Sequence, residues 1–335
     1  MILAIETSCD ETSVAIMNFK GFLLSHITIN QKNHKKFGGV VPEIASREHL
    51  QILQLIIPRA LEKANISLNN IKLFSATCGP GLVGGLLVGS NFARSMAIGC
   101  KKTFYPINHL EGHLLSPLIN NKKISFPYLA LLLTGGHTQT YIVNNINSYE
   151  LIGESVDDAV GEVFDKVAKI LGLSYPGGAL IEKRAKLGNS KKYNLPHPLE
   201  KDKTLNFSFS GIKTSVNIII KKSIISENVV NNMSASFQNK IIDILVKKLD
   251  KTLNFINQRK INISDVVIVG GVASNKKIRY SLKKFCKKNK LNLLYPLNQF
   301  CSDNAAMIAW TCLQHYKNKI KPKLNFKVDP RWQLK

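Results

Sequence analysis

The sequence predicts an α/β protein with two related lobes, and three observations support this fold class. The chain has 335 residues, the length of about two ordinary domains. Hydrophobic residues make up 44% and charged residues 20%, a globular composition that excludes disordered, collagen-like and coiled-coil proteins. Each half opens with a strand, a polar or glycine turn and a second strand, and then continues into helix and strand units.

Short apolar or alternating runs predict the strands of the first half. These runs are residues 1–6, 13–18, 22–30 and 71–78. Apolar residues at helical spacing predict helices at residues 42–64 and 82–100. Because the turn Gly79-Pro80-Gly81 separates the last strand from the second helix, strand, glycine turn and helix follow one another as in an α/β unit.

The second half repeats this pattern after a polar boundary. The predicted strands are residues 128–134, 139–143, 149–154 and 266–269, and the predicted helices are residues 157–171, much of 233–258, and 303–316. Serine, proline and lysine at residues 190–210 predict a long loop. We predict lobes at residues 1–124 and 125–302, divided near the lysine-bearing stretch 120–127, and a C-terminal helix and tail at 303–335 that returns to the first lobe.

The charge balance favours a polyanionic partner. Lysine and arginine number 46 against 22 aspartate and glutamate residues, which gives a net charge of +24 and an isoelectric point near 9.8. Such an excess is typical of proteins that bind nucleic acid. Lysine and asparagine are abundant along the whole chain, as in proteins from AT-rich genomes, so genome composition explains the charge equally well.

Targeting and cysteine patterns predict a cytoplasmic protein. The longest weakly polar stretch, residues 80–90, is too short and too rich in glycine to span a bilayer. The N-terminus reaches Glu6 without the basic and apolar regions of a signal peptide. The six cysteines form no Cys-x-x-Cys pair, which favours reduced thiols over a disulfide framework or a zinc ribbon.

The segment HLEGH at residues 109–113 carries the clearest metal-binding signal. Side chains four residues apart lie on one face of a helix, so His109 and His113 can bind one ion. The zincin signature H-E-x-x-H places its glutamate directly after the first histidine, whereas Glu111 lies in the middle, so the spacing does not support a metalloprotease base. A third ligand is required, and the same spacing also occurs on ordinary solvated helices.

Four glycine-rich turns indicate a phosphate-bearing ligand. They are residues 79–85, 133–138, 175–178 and 269–275. Backbone N–H groups in such turns can approach an anion closely, although none of the four has Walker A or G-x-G-x-x-G spacing. Three of the turns follow predicted strands, which favours a ligand bound between the two lobes.

Acidic residues at turns are candidates for binding a cation or a ribose hydroxyl. They are Asp10, Glu11, Asp157, Asp158, Asp165 and Asp303. An acid in the first turn of a helix is more often a cap. We interpret Asp157 and Asp158 as helix caps, whereas both interpretations stay open for Asp303.

Taken in order, the motifs resemble those of a known family. They are IETSCDETS, GGVVPEIASREH, GPGLVGGLLVG, INHLEGHLLSP, LLLTGGHTQ, GEVFDKVAKILGLSYPGG, FSFSGIKT, VGGVASN and CSDNAAMIA. This series is similar to the successive signatures of the universal tRNA adenosine threonylcarbamoyltransferase family, whose bacterial members are TsaD proteins. The resemblance extends from Ile5 to about Arg331 and so covers essentially the whole chain.

The resemblance implies a fold of the actin, hexokinase and heat-shock ATPase class, with duplicated RNase H-like lobes and a ligand cleft between them. It implies transfer of threonylcarbamoyl from threonylcarbamoyl-AMP to N6 of the adenosine 3′ of the anticodon, in tRNAs that read codons beginning with adenosine, with release of AMP. It also implies two protein partners, one of the same fold and one a small ATPase.

The resemblance assigns residues as well. His109, His113 and Asp303 match the family's metal ligands, and two imidazoles with one carboxylate suit iron or, alternatively, zinc. The residues that match its substrate and nucleotide contacts are Leu132, Leu133, Thr134, Gly135, Gly136, Asp165, Gly178, Glu182 and Asn275. We add the hypothesis that Glu11 or Asp10, near the first turn, accepts the proton of the adenine amine.

Three positions depart from the family pattern. Thr134 replaces serine, Ala305 replaces glycine, and Gly85 stands where alanine or serine is common. The last two changes alter backbone freedom near Asp303 and the first glycine turn.

Three other functions stay open at this point. They are a metalloprotease, a small-molecule kinase of the same fold class, and a non-catalytic tRNA-binding scaffold. The scaffold is favoured by the net charge and by the basic segment 276–288.

Overall fold

Two compact units make up the described part of the chain. The computed structural model of the protein describes residues 1–31, 33–37, 39–119, 124–322 and 325–334. The first unit contains the described parts of residues 1–123, 145–149 and 296–335, and the second contains residues 124–144 and 150–295. Residues 120–123 of the predicted lobe boundary, and residues 323, 324 and 335 of the predicted tail, lie outside the described residues. The lobe limits stay a prediction.

Strands and helices mix along the chain, which confirms the α/β prediction. The strands are β1 (Ile2–Glu6), β2 (Glu11–Met17), β3 (Leu23–Asn30), β4 (Leu73–Gly79), β5 (Thr103–Asn108), β6 (Tyr128–Leu133), β7 (Thr138–Asn145), β8 (Ser148–Glu154), β9 (Asp265–Val269) and β10 (Asn292–Leu294). The α-helices are α1 (Pro42–Lys63), α2 (Val83–Gly99), α3 (His109–Leu115), α4 (Val160–Ile170), α5 (Gly178–Ala185), α6 (Ser210–Lys221), α7 (Glu227–Gln258), α8 (Lys276–Lys288) and α9 (Ala305–Lys317). Within the described ranges, no helix combines the length and the apolar composition that a bilayer crossing requires.

The first unit is built on a mixed sheet with the strand order β3-β2-β1-β4-β5. β1 is antiparallel to β2 and parallel to β4, and β4 is parallel to β5. Ile2 and Ala4 pack in the core that contains α9, whereas Leu3 and Ile5 pack in the core that contains α1. Because successive side chains of a strand point to opposite faces, a sheet covered on both faces explains why β1 is a continuous apolar run.

The second unit contains a mixed sheet with the order β10-β9-β6-β7-β8. β6 is antiparallel to β7 and parallel to β9. The carboxyl ends of β6 and β9 therefore lie at the same edge, and their glycine turns meet there. At Gly270, where φ is +93°, an added Cβ would lie 2.3 Å from the carbonyl oxygen of Leu133, so the two turns require glycine at this close approach.

The cap interpretation of Asp157 and Asp158 is wrong. α4 begins at Val160 with Ala159 at its N-cap. Asp157 instead accepts hydrogen bonds from the segment before α6, from the backbone N–H of Phe209 at 2.8 Å and from the hydroxyl of Ser210 at 2.8 Å. Lys166 and Lys213 each approach Asp158 to 2.8 Å. The two carboxylates therefore bind donors that are distant in sequence instead of the N-terminus of α4.

Two further elements differ from the sequence prediction. The last helix begins at Ala305 rather than Asp303, because the side chain of Asn304 caps it by accepting the N–H of Met307 at 3.0 Å. α6 was not predicted, because the polar residues at its start read as a continuation of the preceding loop.

Ala305 lies in a helix and donates its N–H to the hydroxyl of Ser13 at 3.0 Å, so alanine is accommodated there without the conformational freedom of glycine.

Gly85 is required by the packing of α2 against the chain after β1. An added Cβ would lie 2.3 Å from the carbonyl oxygen of Thr7, whereas one added at Gly99, in the same helix, would meet nothing within 4 Å. Gly85→Ala should lower the free energy of unfolding by about 1–3 kcal/mol through overpacking. Gly99→Ala should leave it unchanged or raise it by about 0.5–1 kcal/mol through helix propensity.

Urea denaturation of both variants measures this difference. Equal stability of the two alanine variants would contradict the close approach of α2 to Thr7.

Candidate metal centre and substrate-binding residues

The helix α3 holds two histidines in a buried setting. It begins directly after β5, and the side chain of Asn108 caps it by accepting the N–H of Leu110 at 2.8 Å. All its residues are buried. The rings of His109 and His113 have centroids 4.7 Å apart and stand edge to face. The predicted pairing of these histidines on one helix face is therefore present.

Asp303 completes a cluster that fits one metal ion. Its Oδ1 lies 2.9 Å from Nε2 of His113 and 3.4 Å from Nε2 of His109. Ligand atoms of the three residues all lie within 4.8 Å of one another. Ligands about 2 Å from a shared ion are roughly 3–4 Å apart, so two imidazoles and one carboxylate are suitably spaced for one divalent cation.

A second carboxylate orients the ring of His109. Oε2 of Glu6, at the end of β1, lies 3.1 Å from Nδ1 of His109. Glu6 is itself held by the backbone N–H of Ser8 at 2.6 Å and by the hydroxyl of Thr77. A carboxylate on the far nitrogen of a ligating histidine fixes both the tautomer and the ring orientation. Nε2 of His109 is thereby directed toward Asp303.

The electrostatics of the cluster are those of a buried ion-pair network. Burial alone would lower the pKa of His109, but the negative charges of Asp303 and Glu6 raise it well above the ordinary value. Burial alone would raise the pKa of Asp303, but the charge and hydrogen bond of His109 hold it far below the ordinary range. Burial lowers the pKa of His113. The carboxylates therefore favour positive charge on His109, whereas burial disfavours it on His113.

The candidate base Glu11 interacts electrostatically with Asp303 of the same cluster. It is the first residue of β2. Burial, and then the negative charges of Asp303 and Asp10, raise the pKa of Glu11 well above its ordinary value. The chain around Asp10 is anchored because its carbonyl oxygen accepts the N–H of Gln31 at 3.1 Å. The fold thus brings both predicted acids near the histidine cluster.

The predicted substrate loop lies at the end of β6, in the second unit. Leu132 and Leu133 are fully buried, so only their backbone groups can contact a ligand. The hydroxyl of Thr134 accepts the N–H of His137 at 2.9 Å and so serves the turn, which explains why a threonine can replace serine. Gly135 and Gly136 are exposed, and a Cβ added at either would meet nothing within 4 Å.

The other predicted nucleotide contacts have structural partners. Asp165 accepts the N–H of Gly177 at 2.7 Å, immediately before Gly178 at the start of α5. Glu182 accepts the backbone N–H of Lys276 at 2.9 Å. The neighbouring Asn275 caps α8 and donates its amide to Gln238 at 2.9 Å. Glu182 and Asn275 therefore meet at the N-terminus of α8, and their role in binding substrate stays a prediction.

Comparison with known proteins places this architecture in one family. A sequence model of the TsaD family, described as tRNA N6-adenosine threonylcarbamoyltransferase, matches residues 22–310. The protein of that name from Wolbachia pipientis wMel is 46% identical over 334 residues, which cover 99% of this chain and 98% of the relative. The protein of that name from Rickettsia rickettsii (strain Sheila Smith) is 46% identical over 337 residues, with the same coverage. This chain belongs to the TsaD family.

Solved structures support the fold of this TsaD chain. Full-length HypF in its phosphate- and nucleotide-bound form has a TM-score of 0.60 at 11% identity, over 96% of this chain and 47% of HypF. Component A of (R)-2-hydroxyglutaryl-CoA dehydratase from Acidaminococcus fermentans has a TM-score of 0.52 at 14% identity, over 96% of this chain and 99% of that one. Because both identities are low, these similarities concern the fold alone.

The TsaD chain contains a further buried network that its sequence did not reveal. Oε1 of Glu111, between the two histidines of α3, accepts hydrogen bonds from the hydroxyl of Tyr149 at 2.6 Å and from Nε2 of His315 at 2.8 Å. His315 belongs to α9, which closely follows Asp303 in the chain. The network therefore joins α3 to α9, the two helices next to the candidate metal ligands His109, His113 and Asp303. No local pattern pairs Glu111 with residues 38 and 204 positions away.

We expect Glu111→Ala to weaken metal binding although Glu111 is not a ligand. Loss of the link between α3 and α9 loosens the position of His109 and His113 relative to Asp303, and such supporting contacts typically contribute about 10- to 100-fold in affinity. Tyr149→Phe should act in the same direction with a smaller effect. Titration of the metal-free protein with Fe²⁺ or Zn²⁺ measures the change.

The matched control is Asp265→Ala, which removes a buried acid of the second unit. Asp265 is bound to the N–H of Ser125 and to the amide of Asn292, not to the histidine cluster. It should leave metal affinity unchanged, and an equal loss in both variants would contradict a specific role for Glu111.

Proposed function

We propose that this protein is a tRNA N6-adenosine threonylcarbamoyltransferase. It takes threonylcarbamoyl-AMP, transfers the threonylcarbamoyl group to N6 of the adenosine 3′ of the anticodon in tRNAs that read codons beginning with adenosine, and releases AMP. The observation that carries this proposal is the convergence of His109, His113 and Asp303 in a chain that resembles the so-named relatives over almost its whole length.

We propose one divalent metal as the cofactor, iron in the first place and zinc as the alternative. His109, His113 and Asp303 would hold it, since two imidazoles and one carboxylate suit these ions. A metal bound there supplies a Lewis acid for the carbonyl group that is attacked. Glu6 keeps Nε2 of His109 directed at the site, and the link of Glu111 to α9 keeps the three side chains together.

The remaining chemistry falls to positioning and proton transfer. The exocyclic amine of adenine is a poor nucleophile, so alignment of the two substrates should contribute a large share of the rate. We propose that the adenylate is bound by backbone groups of residues 132–136 and by Asp165, Gly178, Glu182 and Asn275. Glu11 is the proposed acceptor of the amine proton, with Asp10 as the alternative. Burial and the neighbouring charges of Asp303 and Asp10 raise the pKa of Glu11, which makes it a stronger base than an ordinary carboxylate.

The TsaD resemblance supports two protein partners and a cytoplasmic location. We propose that a second protein of the same fold and a small ATPase act with this chain. We propose a cytoplasmic location because the proposed substrate is tRNA. A metalloprotease is disfavoured because Glu111 does not follow the first histidine as in H-E-x-x-H, and its Oε1 instead accepts hydrogen bonds from Tyr149 and His315. A non-catalytic tRNA-binding scaffold remains the second candidate, favoured by the charge of +24.

The decisive experiment is transfer of labelled threonylcarbamoyl from its adenylate to unmodified tRNA. We expect the wild type to label tRNA and His109→Ala to lose roughly 100-fold or more in rate, because the metal site is destroyed. The assay is run with and without the two partner proteins. Failure of the wild type in both conditions, with tRNA still bound, would favour the scaffold.

A second variant tests the proton acceptor. Glu11→Gln keeps the size of the side chain but removes its basicity, so transfer should fall by about 100-fold or more, in the range typical of general base catalysis. Binding of threonylcarbamoyl-AMP, measured by equilibrium dialysis, should stay within about twofold of the wild type. Normal transfer by Glu11→Gln would exclude Glu11 and direct the same test to Asp10→Asn.

A further inference from the structure

The helix α8 carries positive charge without any acidic residue. Its thirteen residues include seven cations: Lys276, Lys277, Arg279, Lys283, Lys284, Lys287 and Lys288. All six of the lysines are exposed. Among the described residues, none of these six lysines has a carboxylate oxygen within 4.0 Å of its Nζ. Like charges one turn apart repel one another, so the helix gains no stability of its own from this pattern.

Genome composition does not account for this local concentration. If lysine enrichment were uniform, other helices would show a similar excess of cations. α1 instead carries three acidic and three basic residues, and the 32-residue α7 carries three acidic and four basic residues. The excess of cations on α8 is therefore larger than on either of these two longer helices, and it favours an anionic partner.

Two exposed aromatic rings accompany the cations. Tyr280 of α8 is 65% exposed, and Nζ of Lys277 lies 5.8 Å from its ring centroid. Tyr295, after β10, is 40% exposed, and the guanidinium of Arg279 lies 4.1 Å from its ring centroid. Exposed aromatic rings interleaved with cations are typical of surfaces that bind single-stranded nucleic acid, because bases stack on the rings while cations bind phosphates.

A cationic cavity lies at the C-terminal end of α8. Its volume is about 380 Å³, and its lining includes Lys247, Lys248, Lys251 and Lys288 together with Glu200 and Asp250. Lys247 is ion-paired with Glu200 at 2.7 Å, so Lys248, Lys251 and Lys288 are the lining cations left for an anion. Lys248 is 1% exposed, and its Nζ donates to the neutral carbonyl oxygen of Thr204 at 3.0 Å. Burial, and then the charge of Lys251, lower the pKa of Lys248. An anion in the cavity would offset the cost of this buried ammonium.

We propose that α8 and the cavity at its end bind the phosphodiester backbone of tRNA, with one phosphate in the cavity and an unpaired base stacked on Tyr280. This inference rests on the proposed function, because it takes tRNA as the polyanionic substrate. Lysine contacts to phosphates carry little base specificity, so the surface would bind the tRNA body and leave the choice of adenosine to the active site.

The test is the salt dependence of tRNA binding. The variant Lys283→Gln/Lys284→Gln/Lys287→Gln removes three exposed charges from α8, and glutamine has nearly the helix propensity of lysine, so the melting temperature should not fall. Fluorescence anisotropy with an unmodified tRNA transcript, at several KCl concentrations, should show a Kd at least about 10-fold weaker and a slope of log K against log salt reduced by about 2–3. Lys288→Gln tests the cavity, and the slope of this variant should fall by about 1.

The matched control is Lys191→Gln/Lys192→Gln/Lys221→Gln. It removes the same charge from other exposed positions of the second unit. The control should change Kd by less than about twofold. Unchanged binding by the α8 variant, or an equal loss in the control, would overturn the proposed surface.

Transfer assays separate this inference from the proposed function. With saturating threonylcarbamoyl-AMP, the α8 variant should raise KM for tRNA while kcat stays near the wild-type value. If the wild type binds tRNA through α8 but transfers no threonylcarbamoyl group, the proposed enzymatic function is refuted and the proposed tRNA-binding surface is retained. If the α8 variant transfers with the same KM and kcat as the wild type, only the proposed tRNA-binding surface is refuted.

Discussion

The contact between the carboxylate of Glu6 and Nδ1 of His109 is the interaction on which the candidate metal centre depends. Glu6 ends β1, Thr77 of β4 donates to it, and His109 begins the helix after β5. Three neighbouring strands therefore converge on one buried carboxylate. Breaking such a pair by removing one partner leaves a buried charge uncompensated, which is far more costly than losing a surface ion pair. The side chain of Glu6 thus links the sheet of the first unit to the candidate metal centre.

The C-terminal segment is equally necessary to this arrangement. Met307 and Ile308 of α9 share a core with Ile2 and Ala4 of β1, so the two ends of the chain fold together. Asp303 precedes that helix and reaches His113 across 190 positions of sequence. α9 packs closely on α3, because a Cβ added at Gly112 would lie only 3.0 Å from Cδ1 of Ile308. The third candidate ligand is therefore positioned by hydrophobic packing as much as by its own hydrogen bonds.

The sequence predicted those features that have a local period, and it was silent or wrong on those that depend on distant contacts. The spacing of His109 and His113 is a property of one helix turn, so the sequence alone predicts that they share a face. Asp303 could be paired with them only through the family resemblance. The network of Glu111, Tyr149 and His315 had no local signal at all. Asp157 was misassigned because an acid before a helix resembles a cap, while its shorter hydrogen bonds come from Phe209 and Ser210, more than 50 positions away.

Positive and negative charges act over different distances in this protein. The chain as a whole carries +24, which acts over distances of about the Debye length, near 10 Å in ordinary buffers, and attracts polyanions. The candidate metal centre instead gathers the carboxylates of Glu6, which is buried, and of Glu11 and Asp303, which are half-buried. Solvent screens charges weakly there, so short-range attraction to a cation dominates. A uniformly basic protein could not hold a divalent cation, and a uniformly acidic one would repel tRNA. Local segregation of charge reconciles the two requirements, because burial confines the influence of the acids to the site.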